Sequence, residues 1–173
     1  MTIRQTSFAL AAFAGAALLA ACGSGDAPAA TIDAETAALP LSNGMTAAET
    51  IDARQTHLKA VGKGFKTISD GLKESEPDMA AIQAAAASVP AETATMADWF
   101  PEGSGPASGV KTDALPVIWE SKADFDSKMA DFKAAAATLD TAAQGGDIAA
   151  ITEAFKATGA TCKACHQTYR ADD

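Results

Sequence analysis

The apolar content of this chain consists mostly of alanine, and this restricts the folds that it can adopt. Apolar residues make up 48% of its 173 residues, and 44 residues are alanine. Alanine forms helix well but buries little surface. From Cys22 onward only 29 large apolar side chains remain, cysteines excluded. The sequence therefore favours helices, and it predicts that something besides side chains fills part of the core.

Composition and charge exclude several classes of protein. Four valines and eight isoleucines are too few for a β-sandwich. A transmembrane bundle is excluded because there is only one long apolar run. The net charge of −9 argues against nucleic-acid binding through a basic face. An acidic chain of this kind could instead dock a basic partner by electrostatic steering, or the charge could serve solubility alone.

The N-terminus is typical of a secretory signal. Arg4 precedes a short apolar run at residues 8–21, which is too short for a comfortable membrane span. The run ends in Leu-Ala-Ala-Cys22, which resembles the lipobox of bacterial lipoproteins; the alternative is a plain cleavage site. We therefore predict a signal peptide at 1–21 and a lipidated Cys22, which would anchor the protein without spanning the membrane. Residues 22–45, rich in small and polar residues, are predicted to be a flexible tether.

Periodic apolar positions predict four helices. Thr46 and Glu49 form a capping box, and a one-sided stripe then continues to a helix end near Gly71. Ser75 is the expected cap of the second helix, whose first turn contains Pro77. Pro90 is expected to kink or end that helix.

A loop containing three prolines and three glycines, at residues 100–116, precedes the third helix. The third helix is predicted at 116–143 and is stopped by Gly145 and Gly146. Asp147 is expected to cap the fourth helix. With no strand pattern in between, residues 46–171 are predicted to be one all-α domain, an antiparallel four-helix bundle.

One motif carries specific chemistry. Cys162-Lys163-Ala164-Cys165-His166 has the C-x-x-C-H spacing by which c-type haem is attached. Two thiols three residues apart on a helix can add to the two vinyl groups of one porphyrin edge, and the adjacent histidine can reach the iron. We therefore expect one covalent haem c.

Three other uses of these cysteines are less consistent with the sequence. A thioredoxin-like site needs a preceding strand and a position at a helix N-terminus. A zinc site needs four ligands, and His57 is the only remaining histidine. A structural disulfide would be compatible with an oxidising compartment, but it would not use His166.

The sequence resembles the class II c-type cytochromes, the cytochrome c′ family. The resemblance covers residues 46–171 and rests on the terminal run CKACHQTYR at 162–170, on RQTHLKAVG at 54–62, and on the two stretches at 99–105 and 114–119. It implies that Cys162 and Cys165 hold the haem and that His166 is the proximal iron ligand. It also implies that Arg54 and Arg170 face the haem propionates; without it, both would be read as ordinary exposed arginines.

The residue four positions after Arg54 determines the expected coordination of the iron. Some members of the family carry methionine there and are six-coordinate, whereas this chain has Leu58, which cannot bind iron. We therefore expect a five-coordinate, high-spin iron in an apolar distal pocket open to NO or CO. His57 should point to solvent or an interface, because it lies about 100° around the helix from Leu58. Met45 is a more remote candidate ligand.

These expectations describe a periplasmic, lipid-anchored cytochrome that carries single electrons, binds gas ligands, or does both, and that can form a homodimer. No constellation of catalytic acid, base or nucleophile is recognisable, so an enzyme is not expected. Three alternatives stay open: a six-coordinate low-spin electron carrier, a haem enzyme acting on NO or peroxide, and a haem-free helical module with a disulfide that binds a partner. The remaining aromatic residues are interpreted as packing, with some expected to line the haem: Phe65, Trp99, Trp119, Phe125, Phe132 and Phe155.

Overall fold

The computed structural model describes residues 39–171, so the predicted signal peptide, Cys22 and most of the predicted tether lie outside the described residues. At the start of the described part, residues 41–45 form a hydrogen-bonded turn. This turn contacts the first helix, because the Asn43 amide donates to the Thr50 hydroxyl over 3.0 Å. The last residues before the domain are therefore fixed to it.

Five helices make up the described part of the chain: α1 (Ala47–Gly71), α2 (Met79–Glu92), α3 (Val117–Glu120), α4 (Lys122–Gly145) and α5 (Ile148–Tyr169). The long helices α1, α2, α4 and α5 form a four-helix bundle in which α1 packs on α2, α2 on α4 and α4 on α5. Within residues 39–171 there is no strand, only an isolated bridge between Ala114 and Arg170. None of these helices is long and apolar enough to cross a membrane.

Three helix ends that were predicted from capping residues are confirmed. Thr46 accepts from the Glu49 amide and Glu49 accepts from the Thr46 amide, which completes the capping box of α1. Gly146 ends α4 in the left-handed conformation, with φ of 77°. Asp147 then caps α5 by accepting from the Ala150 amide over 2.9 Å.

Two predictions about helix boundaries were wrong. Asp78, not Ser75, caps α2, because its carboxylate accepts from the Ala81 amide over 3.0 Å. Pro90, which was expected to kink or end α2, lies in its last turn, and the helix ends two residues later at Glu92. The predicted third helix is broken at Ser121, whose φ of −120° and ψ of 43° separate α3 from α4.

The break at Ser121 has a tertiary cause that helix periodicity does not contain. Trp119 of α3 donates its indole N–H to the Pro101 carbonyl over 3.0 Å. Its ring also covers Gly105, where an added Cβ would come within 2.7 Å of the indole. Trp119 thus binds α3 to the preceding loop, so this turn follows the loop and does not continue the axis of α4.

The apolar interior is divided into two clusters at opposite ends of the bundle. The cluster far from the motif is made by aliphatic residues of all four long helices, centred on Ile68, Ile82, Leu139 and Ile151. The cluster beside the motif contains most of the aromatic and sulfur-containing side chains, and Cys162 and Cys165 pack against it. The cluster beside the motif also lines the candidate site.

Candidate functional site

A cleft of about 140 Å³ brings most of the predicted site residues together. Its walls come from the N-terminal half of α1, the loop before α3 and the C-terminal end of α5. The predicted residues that line it are Arg54, Leu58, Cys165, His166 and Arg170. Cys162 lies one turn before Cys165 and packs on the adjacent apolar cluster. Residues that are more than a hundred positions apart in sequence thus face one space.

The two thiols are available for attachment to a cofactor. Cys162 and Cys165 are both free and half-buried. Burial raises the pKa of each thiol, so both stay protonated at neutral pH. His166 is exposed on the last turn of α5, and desolvation together with the charge of Arg170 lowers its pKa. Its imidazole is therefore neutral, as an iron ligand must be, over a wider pH range.

The turn that carries His166 is held by the loop before α3. The Leu115 amide donates to the Tyr169 carbonyl over 3.0 Å, and the Ala171 amide donates to the Asp113 carbonyl over 2.8 Å. Arg170 adds an ion pair of 3.6 Å with Asp113. These contacts keep the last turn of α5 from fraying where the candidate ligand lies.

Tyr169 fixes the same turn from the side of α4. Its hydroxyl donates to the Asp124 carboxylate, and this hydrogen bond raises the pKa of Tyr169 to about 12. Its ring stacks edge-on against Phe125, with 5.1 Å between ring centroids. The last turn of α5 is thus attached both to the loop before α3 and to α4.

Arg54 is buried although it has no acidic partner among the residues that the structure describes. Its residue is 2% exposed, and no carboxylate within residues 39–171 lies within 4.0 Å of its guanidinium. The guanidinium donates to Ser104 Oγ over 3.0 Å and to Thr112 Oγ1 over 2.7 Å, and it lies 4.7 Å from the centre of the Phe100 ring. Burial lowers its pKa to about 10, so it is positively charged at neutral pH.

This arrangement fits an anionic group at the cleft. A guanidinium has five N–H donors, and the contacts to Trp99, Ser104 and Thr112 use three of them. Nε–H and the second Nη2–H have no partner in the part of the chain that the structure describes. A buried cation without a counter-charge is costly. A carboxylate of a bound cofactor would supply both the counter-charge and the acceptors.

Apart from Gln55 and Asp113 at its margin, most of the remaining wall of the cleft is apolar. Leu58 projects from α1 and is 38% exposed, and deeper in the cleft lie Met96, Phe100, Ile118, Phe125 and Met129. Phe125 was among the predicted aromatic residues, whereas Met96, Met129 and Thr112 were not identified from the sequence. The spacing of Phe125, Met129 and Phe132 on one face of α4 was a signal for Met129; nothing in the sequence indicated Thr112.

Neither of the alternative ligands lines the cleft. His57 Nδ1 lies 2.8 Å from the Glu92 carboxylate, and its ring stacks on Trp99 at 5.1 Å between centroids. Met45 is exposed in the turn before α1. The His57 side chain is thus engaged outside the cleft, and Met45 precedes α1 without lining the cleft.

Comparisons with known proteins agree on one family. The family model described as cytochrome C' matches residues 49–170. The cytochrome c' of Rhodopseudomonas palustris is 37% identical over 136 residues, which is 76% of this chain and 89% of that protein. Cytochrome c-554 of Cereibacter sphaeroides is 43% identical over 74 residues, and this match spans only 55% of that relative.

A solved structure shows the same architecture. The nitric oxide complex of a mutant cytochrome c prime from Alcaligenes xylosoxidans superposes with a TM-score of 0.66. The match covers 73% of this chain and 97% of that one, at 29% sequence identity.

Proposed function

This chain belongs to the cytochrome c′ family, whose members carry one covalent haem c, and on that premise we propose that it transfers single electrons, binds NO or CO, or does both. The observation that carries the proposal is the cleft in which the C-x-x-C-H helix faces a buried arginine that has no acidic partner within residues 39–171. Haem c, when bound, supplies a one-electron couple and an open coordination position.

Each predicted site residue receives a role from its place in the cleft. Cys162 and Cys165 would hold the haem through thioether bonds, and His166 would bind the iron from the side of α5. Arg54 and Arg170 would bind the propionates. Arg54 is the better supported of the two, because it is buried and lacks an acidic partner, whereas Arg170 already has Asp113.

Leu58 would form the distal wall. A leucine offers no ligand to iron, and with the other apolar lining it disfavours water and charged ligands while admitting a small neutral gas. The nitric oxide complex of the Alcaligenes protein is consistent with such a site. No group in the lining has the arrangement of a catalytic base, and we propose binding and electron transfer, not turnover.

Absorption spectra of the protein made with the haem-attachment machinery test this proposal. We expect a Soret band that stays with the polypeptide after denaturation, and a reduced spectrum that changes when CO is added. The Cys162→Ala/Cys165→Ala variant is the control and should contain no covalent haem. Wild-type protein without covalent haem would refute the proposal.

We predict that Leu58→Met converts the iron from high spin toward low spin. A thioether at this position could reach the iron from the distal side, whereas leucine cannot. The measurement is the ferric electron paramagnetic resonance spectrum without added ligand, with Leu58→Ile as the control. A high-spin spectrum in the methionine variant would show that position 58 does not face the iron.

A six-coordinate iron is the second candidate, because Met96 and Met129 also line the cleft. A low-spin spectrum of the wild-type protein would favour this candidate. Replacing each methionine by leucine would then identify the ligand, since only one of the two variants should become high spin.

We also propose that the mature protein is periplasmic and attached to the membrane through a lipid on Cys22. The support comes from the sequence pattern that precedes the domain. Growth with radioactive palmitate should label the wild-type protein, but not a Cys22→Ser variant.

The redox partner of this protein would be basic, because the chain has a net charge of −9. A homodimer is also part of this proposal, and gel filtration tests it.

A further inference from the structure

Thr112 lies at the margin of the cleft, and its hydroxyl proton has no acceptor within residues 39–171. Its Oγ1 accepts from Arg54 over 2.7 Å and from the Ala114 amide over 3.2 Å. A hydroxyl oxygen has two lone pairs and one proton, so these two contacts use its acceptor capacity. Within residues 39–171 the Thr112 O–H has no acceptor, although Thr112 is half-buried and lines the cleft. Its proton is thus left for a group outside the chain.

The position of this hydroxyl is fixed by its neighbours. The next residues, 113–115, are held to the end of α5 by the two backbone hydrogen bonds and the bridge at Ala114. Arg54 is itself held by Ser104, which is fully buried and donates its own proton to the Pro101 carbonyl over 2.8 Å. Rotation of Thr112 would break its bonds to both Arg54 and Ala114. The O–H is therefore preorganised, which makes a directed donor effective.

We propose that Thr112 is a cofactor-binding residue that donates its hydroxyl proton to a carboxylate of the bound haem, beside the N–H groups of Arg54. This inference rests on the proposed function. A carboxylate suits both residues, because it accepts several hydrogen bonds and supplies a counter-charge to Arg54. Thr112 would then have two roles, since it positions Arg54 and binds the same anionic group.

Thr112→Val and Thr112→Ser, studied in the haem-loaded protein, test this assignment. Valine keeps the shape but removes the hydroxyl, whereas serine keeps the donor. Thr138→Val is the matched control, because the Thr138 hydroxyl is exposed and bonds only to its own helix at Ala134. The readouts are the propionate bending band in the resonance Raman spectrum and the midpoint potential of the haem.

We expect Thr112→Val to weaken hydrogen bonding to the propionate, and so to shift the bending band to lower frequency. The midpoint potential should fall, because a less neutralised carboxylate favours the oxidised iron. Thr112→Ser and Thr138→Val should leave both readouts at the wild-type values. An unchanged band and potential in Thr112→Val, or the same change in Thr112→Ser, would overturn the assignment. Wild-type protein without covalent haem would instead contradict the proposed function itself.

Discussion

At the scale of single residues, the interpretation of Arg54 differs most between the sequence and the structure. From the residue alone it would be an exposed arginine on the polar face of a helix; only the family resemblance gave it a role. In the structure it is buried, held by two hydroxyl groups and placed over Phe100. Burial of a charge is retained where that charge has a partner, and here the partner is not part of the described chain.

His57 gives a prediction at the same scale, because its contacts lie outside the cleft. We expect His57→Ala to leave the optical and spin-state spectra unchanged. The variant should lose about 1 kcal/mol of unfolding free energy, since it loses a half-exposed hydrogen bond with Glu92 and the stacking on Trp99. Urea unfolding measures this, with the exposed Lys59→Ala as the control. A change of the iron spin state in His57→Ala would show that His57 binds the iron.

At the scale of helices, α1 and α2 approach each other closely at Gly64. A Cβ at this position would lie 3.2 Å from Ser88 Oγ and 3.3 Å from the Ala85 carbonyl. Gly62, half a turn earlier, has nothing within 4 Å of its Cβ position. The two glycines therefore differ in packing while sharing the same helix.

We predict that Gly64→Val is less stable than Gly62→Val by about 1–3 kcal/mol, because only the first overpacks the contact with α2. Both variants carry the same cost of a β-branched residue in a helix, so the difference isolates packing. Chemical unfolding of the two haem-loaded variants gives the comparison. Equal stabilities would mean that the α1–α2 contact is looser than its distances indicate.

The capping box of α1 makes the stability of this helix depend on pH. The backbone amide and hydroxyl of Thr46 donate to Glu49, and these hydrogen bonds hold the pKa of its carboxyl below the ordinary value. Since the folded state favours the carboxylate, this contribution is complete above the unfolded pKa. It is lost as the pH falls through the folded pKa.

We therefore expect the stability difference between the wild type and Glu49→Gln to shrink between about pH 6 and about pH 3. Glutamine can accept the same amide but does not titrate in this range. Urea unfolding at several pH values measures the difference. A difference that stayed constant with pH would show that the cap does not depend on the charge of Glu49.

Helix-scale features were predictable where a local rule applies. The caps at Thr46, Asp147 and Gly146 follow from side-chain chemistry within a few residues. The break at Ser121 does not, because it depends on a hydrogen bond between Trp119 and Pro101 across 18 positions. Contacts of this kind depend on which loop packs against which helix, and local periodicity does not predict that packing.

At the scale of the whole molecule, the small number of large apolar side chains gives the last prediction. We expect the Cys162→Ala/Cys165→Ala protein to keep helical circular dichroism but to lose a cooperative thermal transition and to bind a hydrophobic dye. The reason is that the cluster beside the cleft would lack the apolar body that completes it. A variant without haem that melts as cooperatively as the haem-loaded wild type would contradict this prediction.

The amino-acid sequence by itself determined the helical class, the number of long helices and the residues of the C-x-x-C-H motif, because propensity, capping and spacing act within a few residues. Only the tertiary structure placed Leu58 and Arg54 opposite His166, buried Arg54 without an acid, and committed both lone pairs of Thr112. Apart from the local bond between the Ala114 amide and Thr112, these features depend on residues more than 40 positions apart. Their energies arise only when packing removes water from the groups, and that is a property of the assembled bundle.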